Sequence, residues 1–278
     1  MPLPITDARF LFRPLSGEIV ALLQSLSPEE WERPTLAGSW RVRDVVAHLV
    51  DTGLRRLSFQ RDHSVPPAPA APVTTERELA AFINDLNATW VRAAARLSPR
   101  VLTDLYAHVS IALADFVEGI PLDAPALFAV SWAGEDESAA WLDIGREFTE
   151  VWHHGAQIRE AVRAGSFPDP AWLRAVLDIA LHALPHAYRD VPGRPGVSLA
   201  IAIEGPSGGC WTLRRTGARW DIVSGEDAAP AATATMSDEV AWRLFFNALS
   251  ASAAESSVRL DGDPVVSRPL LRVRSVVV

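Results

Sequence analysis

Apolar residues recur at helical spacing through the first 165 residues and predict four long helices. A helix that packs against a core places apolar side chains at positions i, i+3, i+4 and i+7. The pattern predicts helices over residues 13–26, 42–62, 75–97 and 141–164. Residues 101–140 contain Pro121 and Pro125, and there we expect irregular backbone with helical pieces and a candidate short strand at 128–132.

The hydrophobic pattern changes after about residue 167. Short apolar and β-branched runs, separated by turns that contain glycine, are typical of strands. The predicted strands cover residues 197–204, 210–215, 219–223 and 257–260, and the predicted helices cover residues 172–189 and 239–250. The sequence therefore predicts an α+β protein: an N-terminal up-down four-helix bundle in residues 1–166, then a smaller α/β domain with an antiparallel sheet in residues 167–278.

Composition narrows the classes of function. The chain has 278 residues and a net charge of −8, and it has no basic run to suggest a nucleic-acid or anionic membrane partner. It shows neither a signal peptide nor a run of about 18 apolar residues. We therefore expect a cytoplasmic protein, and a bundle with an appended α/β domain could be a monomer or a homodimer. All 26 basic residues are arginine, which excludes Schiff-base chemistry. The single cysteine, Cys210, excludes a disulfide within the chain.

The segment EVWHH, residues 150–154, carries the candidate chemistry. Glu150 and His154 are four residues apart and share one helix face, but His153 at i+3 shares that face too. From spacing alone, either histidine could pair with the carboxylate. His48 lies mid-helix among apolar residues, where an unpaired imidazole is costly. Together such residues could form a two-histidine, one-carboxylate metal site in a bundle, open to water or substrate and suited to Zn, Ni, Fe or Co.

Simpler interpretations stay open for these residues. A Glu and a His four residues apart often occur on a helix by chance, and a lone His48 would more often be a hydrogen-bonded core residue. If metal binds, bound water could make the protein a hydrolase with Glu147 or Asp44 as general base, or the metal could support a non-catalytic binding module. Cys210 is more simply interpreted as a small buried hydrophobe than as a nucleophile.

Three stretches resemble the mycothiol-dependent maleylpyruvate isomerase family, part of the DinB-like superfamily of metal-binding helix bundles. Residues 26–49, which end in WRVRDVVAHL, are similar to the opening of that family. Residues 146–154, REFTEVWHH, resemble the signature on its last bundle helix, and residues 262–271 resemble the end of its smaller α/β domain.

The resemblance implies a divalent metal, usually zinc, held by His48, Glu150 and His154. It thereby favours His154 over His153 as a ligand. It also implies a low-molecular-weight thiol, such as mycothiol, because a cation can convert a thiol into a nucleophilic thiolate. The implied activity is S-transfer to, or isomerisation of, a small electrophilic substrate.

The substrate is not specified by the resemblance, because the chain departs from the family pattern. Residues 131–135 look like an insertion, and Gln157 stands where an aspartate is expected. Arginines are candidates for binding a carboxylate of a substrate or cofactor through bidentate contacts. The candidates are Arg146, one turn before the Glu150 position, and Arg243 and Arg259 in the second predicted domain.

Overall fold

The structure, a computed structural model, describes residues 3–66, 68–69 and 72–276. By its internal contacts the chain divides into two compact units. The helical unit consists of Asp7–Leu127 and Ala139–Pro168. The second unit contains the sheet and takes in Phe128–Ser138 and the chain from Asp169 onward, with the N-terminal residues up to Thr6.

The part of the helical unit that the structure describes forms six α-helices. They are α1 (Phe12–Ser25), α2 (Pro28–Trp31), α3 (Val42–Arg56), α4 (Glu76–Ala94), α5 (Pro99–Glu118) and α6 (Ala140–Val162). A 3-10 turn, Arg9–Leu11, precedes α1, and a π-helical turn, Leu57–Arg61, extends α3. Several begin at a side-chain cap: Ser27 and Thr75 each form a capping box with the glutamate three residues on, which satisfies backbone N–H groups that a helix start leaves unpaired.

Four of these helices form the bundle, and α4 packs beside it. Helices α1 and α3 each contact both α5 and α6, and α4 contacts α3. Phe12 and Phe148 meet edge to face in the core, with ring centroids 5.6 Å apart. Gly53 allows α3 and α5 to approach closely, because a Cβ at this position would lie 2.5 Å from Cγ1 of Val109.

Helix α5 corrects the expectation of irregular backbone after residue 101. Ser98 caps α5 by accepting a hydrogen bond from the Val101 N–H at 3.3 Å, and Pro99 suits the first turn. Leu102, Tyr106 and Leu113 then fall on the buried face. The prolines that suggested irregularity lie beyond the end of α5. The candidate strand at 128–132 is also wrong, because a 3-10 turn begins at Ser131.

Among the described residues of the second unit there are five α-helices and five strands. The helices are α7 (Pro170–Ala180), α8 (Leu184–Ala187), α9 (Asp238–Phe245), α10 (Ala251–Ser257) and α11 (Pro264–Ser267). The strands are β1 (Ser198–Glu204), β2 (Gly209–Thr216), β3 (Arg219–Ser224), β4 (Ala232–Ser237) and β5 (Arg259–Gly262). The sheet order is β3-β2-β1-β4-β5. The α+β fold class predicted from the sequence is thereby confirmed.

The sheet is mixed rather than purely antiparallel. Three of its pairings are antiparallel, but β1 and β4 run parallel. The connection over residues 225–231 carries the chain from β3 past β2 and β1. Strand β4 then pairs with the free edge of β1 and runs parallel to it. Asp227 holds this connection by accepting hydrogen bonds from Ser198 Oγ at 2.7 Å and Arg214 Nη2 at 2.8 Å. In the described part of the chain, no helix is long and apolar enough to cross a membrane.

Candidate metal centre

Three polar side chains from two helices of the bundle converge. His48 lies in the middle of α3, and Glu150 and His154 lie one turn apart on α6. Their ligand atoms are all within 4.8 Å of one another. Oε2 of Glu150 is 3.5 Å from Nε2 of His154 and 3.8 Å from Nε2 of His48. Both imidazoles are nearly buried, and 23% of the Glu150 side chain is exposed.

His48 and Glu150 have shifted pKa values that suit metal ligands. Burial lowers the pKa of His48 to about 4, against the opposing effect of Glu150, so the imidazole is neutral at pH 7. Burial raises the pKa of Glu150, but the nearby His154 and His48 side chains outweigh it, and the pKa lies well below its usual value. Metal ions bind neutral imidazole and ionised carboxylate.

A hydrogen bond orients His154 toward the cluster. Nδ1 of His154 lies 2.8 Å from Oε1 of Gln157, one turn along α6. With an amide oxygen as its partner, Nδ1 donates this hydrogen bond, and Nε2 is the ring nitrogen nearest the Glu150 carboxylate. Gln157 thus fixes the orientation of the His154 ring from the position at which the family pattern suggested an aspartate. Nδ1 of His48 is buried and has no hydrogen-bond partner among the described residues.

The neighbouring His153 belongs to a different environment. Its Nδ1–H donates to the backbone carbonyl of Thr149 at 2.8 Å, and burial lowers the pKa of His153 to about 3. It is not a member of the converging group. The structure thus separates the two adjacent histidines, which helical spacing alone could not do.

An indole ring lies against both histidines of the cluster. The Trp40 ring centroid is 5.0 Å from that of His48 and 6.3 Å from that of His154. Trp40 lies just before α3 and is partly exposed, so its ring shields one side of the centre from water. Nothing in the helical pattern of the sequence indicates which surface Trp40 meets.

The three candidate arginines lie in different surroundings. Arg146 lies on α6 with 25% of its side chain exposed, and its Nη2 donates to Oδ1 of Asp143 at 2.7 Å. Arg243 pairs with Glu239 at 3.3 Å. Arg259 is 73% exposed and donates to Oγ1 of Thr235 at 3.3 Å. Only Arg146 shares a helix with two members of the cluster.

A buried charged group lies between α3 and α6. Nη1 of Arg56 donates to Oδ2 of Asp143 at 2.7 Å, and Nη2 donates to the Asp143 backbone carbonyl at 3.2 Å. Nε of Arg56 is 3.6 Å from Oε2 of Glu147. At most 7% of each of these three side chains is exposed. Sequence reasoning missed this group, because Arg56 lies 87 residues before Asp143 along the chain.

The other candidate reactive groups are engaged elsewhere. Oδ2 of Asp44 accepts the N–H of Arg41 at the start of α3, and Glu147 faces the Arg56 guanidinium. The thiol of Cys210 donates to Glu226 at 3.2 Å. Burial and the neighbouring carboxylate raise the pKa of Cys210. This thiol therefore stays protonated at neutral pH and is a poor nucleophile.

Comparisons with known proteins identify the family. Residues 12–159 match the model described as the mycothiol maleylpyruvate isomerase N-terminal domain. No curated protein sequence matches the chain. The fold is similar to the crystal structure of the mycothiol-dependent maleylpyruvate isomerase, with a TM-score of 0.55, 16% identity and 93% of each chain covered. The structure of a histidine-to-alanine mutant of the mycothiol-dependent maleylpyruvate isomerase gives a TM-score of 0.54 at the same identity and coverage.

The match to the family model confirms the resemblance read from the residues around His48 and Glu150. The matched stretch contains all six helices of the bundle unit except the last residues of α6. Since it covers more than half of the residues, this chain belongs to the mycothiol maleylpyruvate isomerase N-terminal domain family.

Proposed function

We propose that this protein is a divalent-metal-dependent enzyme that uses a low-molecular-weight thiol of the mycothiol class for S-transfer to, or isomerisation of, a small electrophilic substrate. The observation that carries the proposal is the convergence of His48, Glu150 and His154 within 4.8 Å in a member of this family. Two histidines and one carboxylate suit zinc, nickel, iron or cobalt, and we propose zinc first.

The spacing of the three donor atoms suits the binding of one cation better than it suits hydrogen bonds among them. The distances from Glu150 to the two imidazole nitrogens, 3.5 and 3.8 Å, are too long for good hydrogen bonds. His48 is neutral at pH 7 because burial lowers its pKa to about 4, so it brings no positive charge to the Glu150 carboxylate. When bound, a divalent cation would supply that charge and lower the pKa of a thiol beside it.

Side chains around the cluster would bind and orient the reactants. Arg146 lies one turn before Glu150 and is partly exposed, and its Nε is buried without a partner among the described residues. We propose that its guanidinium binds a carboxylate of the substrate or the thiol cofactor. Gln157 would hold His154 in its ligand orientation, and Trp40 would exclude water from one side.

The proposed chemistry conserves atoms and electrons. The thiol loses its proton to solvent, and the thiolate sulfur forms a bond to the terminal carbon of a C=C bond that is conjugated with a carbonyl. The π electrons move onto the carbonyl oxygen, which leaves a C–C single bond free to rotate. For isomerisation, those electrons return, the C=C bond forms again and the thiolate leaves. For S-transfer, the adjacent carbon takes up a proton instead and the sulfur remains attached.

The first experiment measures metal content and thiol dependence together. We would purify the wild type, His48→Ala, His154→Ala and, as a matched control, His153→Ala. We expect about one equivalent of metal in the wild type and in His153→Ala, and loss of metal in the other two. Turnover of maleylpyruvate or another conjugated acid should require both the metal and added mycothiol. The comparison of His154→Ala with His153→Ala removes one or the other of two adjacent buried imidazoles on α6.

Different failures would indicate different functions. A wild type that holds no metal after incubation with zinc or nickel would contradict the proposal. Metal-dependent turnover without any thiol would favour a hydrolase that uses bound water. Metal that is required for folding, with no turnover of any electrophile, would favour a non-catalytic binding module.

A further inference from the structure

The buried charged group between α3 and α6, formed by Arg56, Asp143 and Glu147, is extended by the partly exposed Arg146. Asp143 is its centre: one carboxylate oxygen accepts from Arg56 and the other accepts from Arg146, each at 2.7 Å. The Asp143 side chain is 1% exposed and the Arg56 side chain is 3% exposed. The group contains two positive and two negative side chains, so its formal charge sums to zero.

Stability alone does not account for this group. Burying charged side chains removes their hydration, and well-packed apolar residues of similar volume often stabilise a fold as well or better. The hydrogen bonding of this group is also incomplete. Three of its atoms are buried without a hydrogen-bond partner among the described residues: Nε of Arg56, Nε of Arg146 and Oε1 of Glu147. A buried polar arrangement of this kind can instead specify one relative position of two helices.

The position of the group along the helices indicates what it specifies. Arg56 follows His48 by eight residues on α3, and Asp143 precedes Glu150 by seven residues on α6. His48 lies opposite Glu150 and Arg56 lies opposite Asp143, so α3 and α6 run antiparallel. At a rise of 1.5 Å per residue, these two levels of contact are about 11 Å apart. One level is the candidate metal centre, and the other is the Arg56–Asp143 pair.

We propose that Arg56 and Asp143 are positioning residues for the metal centre. Their ion pair fixes the register of α3 against α6, so that His48 is set opposite Glu150 and His154 before metal binds. A slip of one residue would displace His48 by about 1.5 Å, whereas metal–ligand distances tolerate only about 0.2 Å. This inference rests on the proposed metal centre.

The test replaces the buried charges while it preserves volume. We would prepare Arg56→Met/Asp143→Leu/Glu147→Gln, which leaves the partly exposed Arg146 as the remaining charge of the group, and the single variant Asp143→Asn, which can accept from only one of the two arginines. Leu102→Ala, in the core on α5, serves as a control that lowers stability without altering either ligand helix. Each full-length protein would be titrated with Co²⁺, whose visible absorption reports coordination geometry, and its Kd measured by chelator competition.

We expect both charge variants to bind Co²⁺ about 10- to 100-fold more weakly, the range found for residues that orient metal ligands, with altered visible bands. Leu102→Ala should unfold at a lower temperature and yet keep the wild-type spectrum and Kd. Wild-type spectra and affinities in the charge variants would overturn this inference and leave the metal centre standing. A wild type that binds no Co²⁺ would overturn both. If the triple variant does not fold, Asp143→Asn decides between these outcomes.

Discussion

At the scale of single residues, the centre depends on hydrogen bonds as much as on the proposed ligands. His154 and His153 are adjacent and both buried, yet each has a different acceptor on Nδ1, Gln157 for one and the Thr149 carbonyl for the other. The partner of Nδ1 determines which nitrogen is free and where it faces. Two identical side chains can therefore have unrelated roles on one helix.

Replacement of Gln157 tests this orienting role. Gln157→Leu removes the acceptor for His154 Nδ1, so the imidazole loses its fixed tautomer and orientation. We expect zinc affinity to fall about 10- to 100-fold, measured by competition with a chromophoric chelator. Gln24→Leu, at an exposed position on α1, is the matched control and should keep the wild-type affinity. Equal affinities in all three proteins would contradict the role assigned to Gln157.

At the scale of secondary-structure elements, the connection between β3 and β4 makes the sheet mixed. Asp227 in this connection accepts hydrogen bonds from β1 and β2, and it also accepts the Ala229 N–H at 3.2 Å. The hydrogen bonds from Ser198 and Arg214, in that order, lower the pKa of Asp227 from its usual 3.8 to about 2. The carboxylate is thus bound more favourably in the folded than in the unfolded chain.

This pKa predicts how stability depends on pH. A lowered folded-state pKa gives stabilisation that is present above pH 3.8 and is lost as the pH falls toward about 2. Asp227→Asn should therefore lower the urea midpoint of unfolding most above about pH 4, and the difference from wild type should shrink toward pH 2. Asp190→Asn, at a side chain that is 92% exposed, is the control. A difference that stays constant from pH 5 to pH 2 would refute the assignment.

The sequence predicted the elements with strong periodicity and missed those with weak or misleading signals. Helices α1, α3, α4 and α6 were expected from their apolar spacing. Helix α5 was not predicted, because Pro121 and Pro125, which lie after its end, suggest irregular backbone throughout residues 101–140. Strand β4 was missed because its alternation is between alanine and threonine, which differ little in hydropathy, although Ala232, Ala234 and Met236 are the buried positions.

The candidate centre was predictable only in part, for a physical reason. Helical spacing places Glu150 and His154 on one face, but it says nothing about what another helix brings to that face. The approach of Trp40, and the pairing of Arg56 with Asp143, depend on the packing of segments distant in sequence. In the sequence, Gln157 is only a departure from the family pattern. The structure shows that its side-chain oxygen lies within hydrogen-bond distance of His154.

At the scale of the whole molecule, all three proposed ligands belong to one of the two compact units. Metal that binds the folded state and not the unfolded chain stabilises that state by about 4 kcal/mol at a concentration of 1,000 times Kd. We expect added zinc to slow amide hydrogen exchange in peptides from α3 and α6, measured by mass spectrometry. Peptides from β1 and β2 are the internal control and should change little. Equal slowing in both sets would contradict the local placement of the site.

The distance along the chain between His48 and Glu150 sets a time for assembly of the centre. About 100 residues separate them, and ribosomes add about 5 to 20 residues per second. The first histidine is therefore synthesised at least several seconds before its partners exist. During that interval the nascent chain offers His48 without the two partners that it meets in the folded bundle, and one imidazole alone holds a metal ion weakly. Metal acquisition would then follow the docking of the last bundle helix, so that a truncated chain remains unloaded.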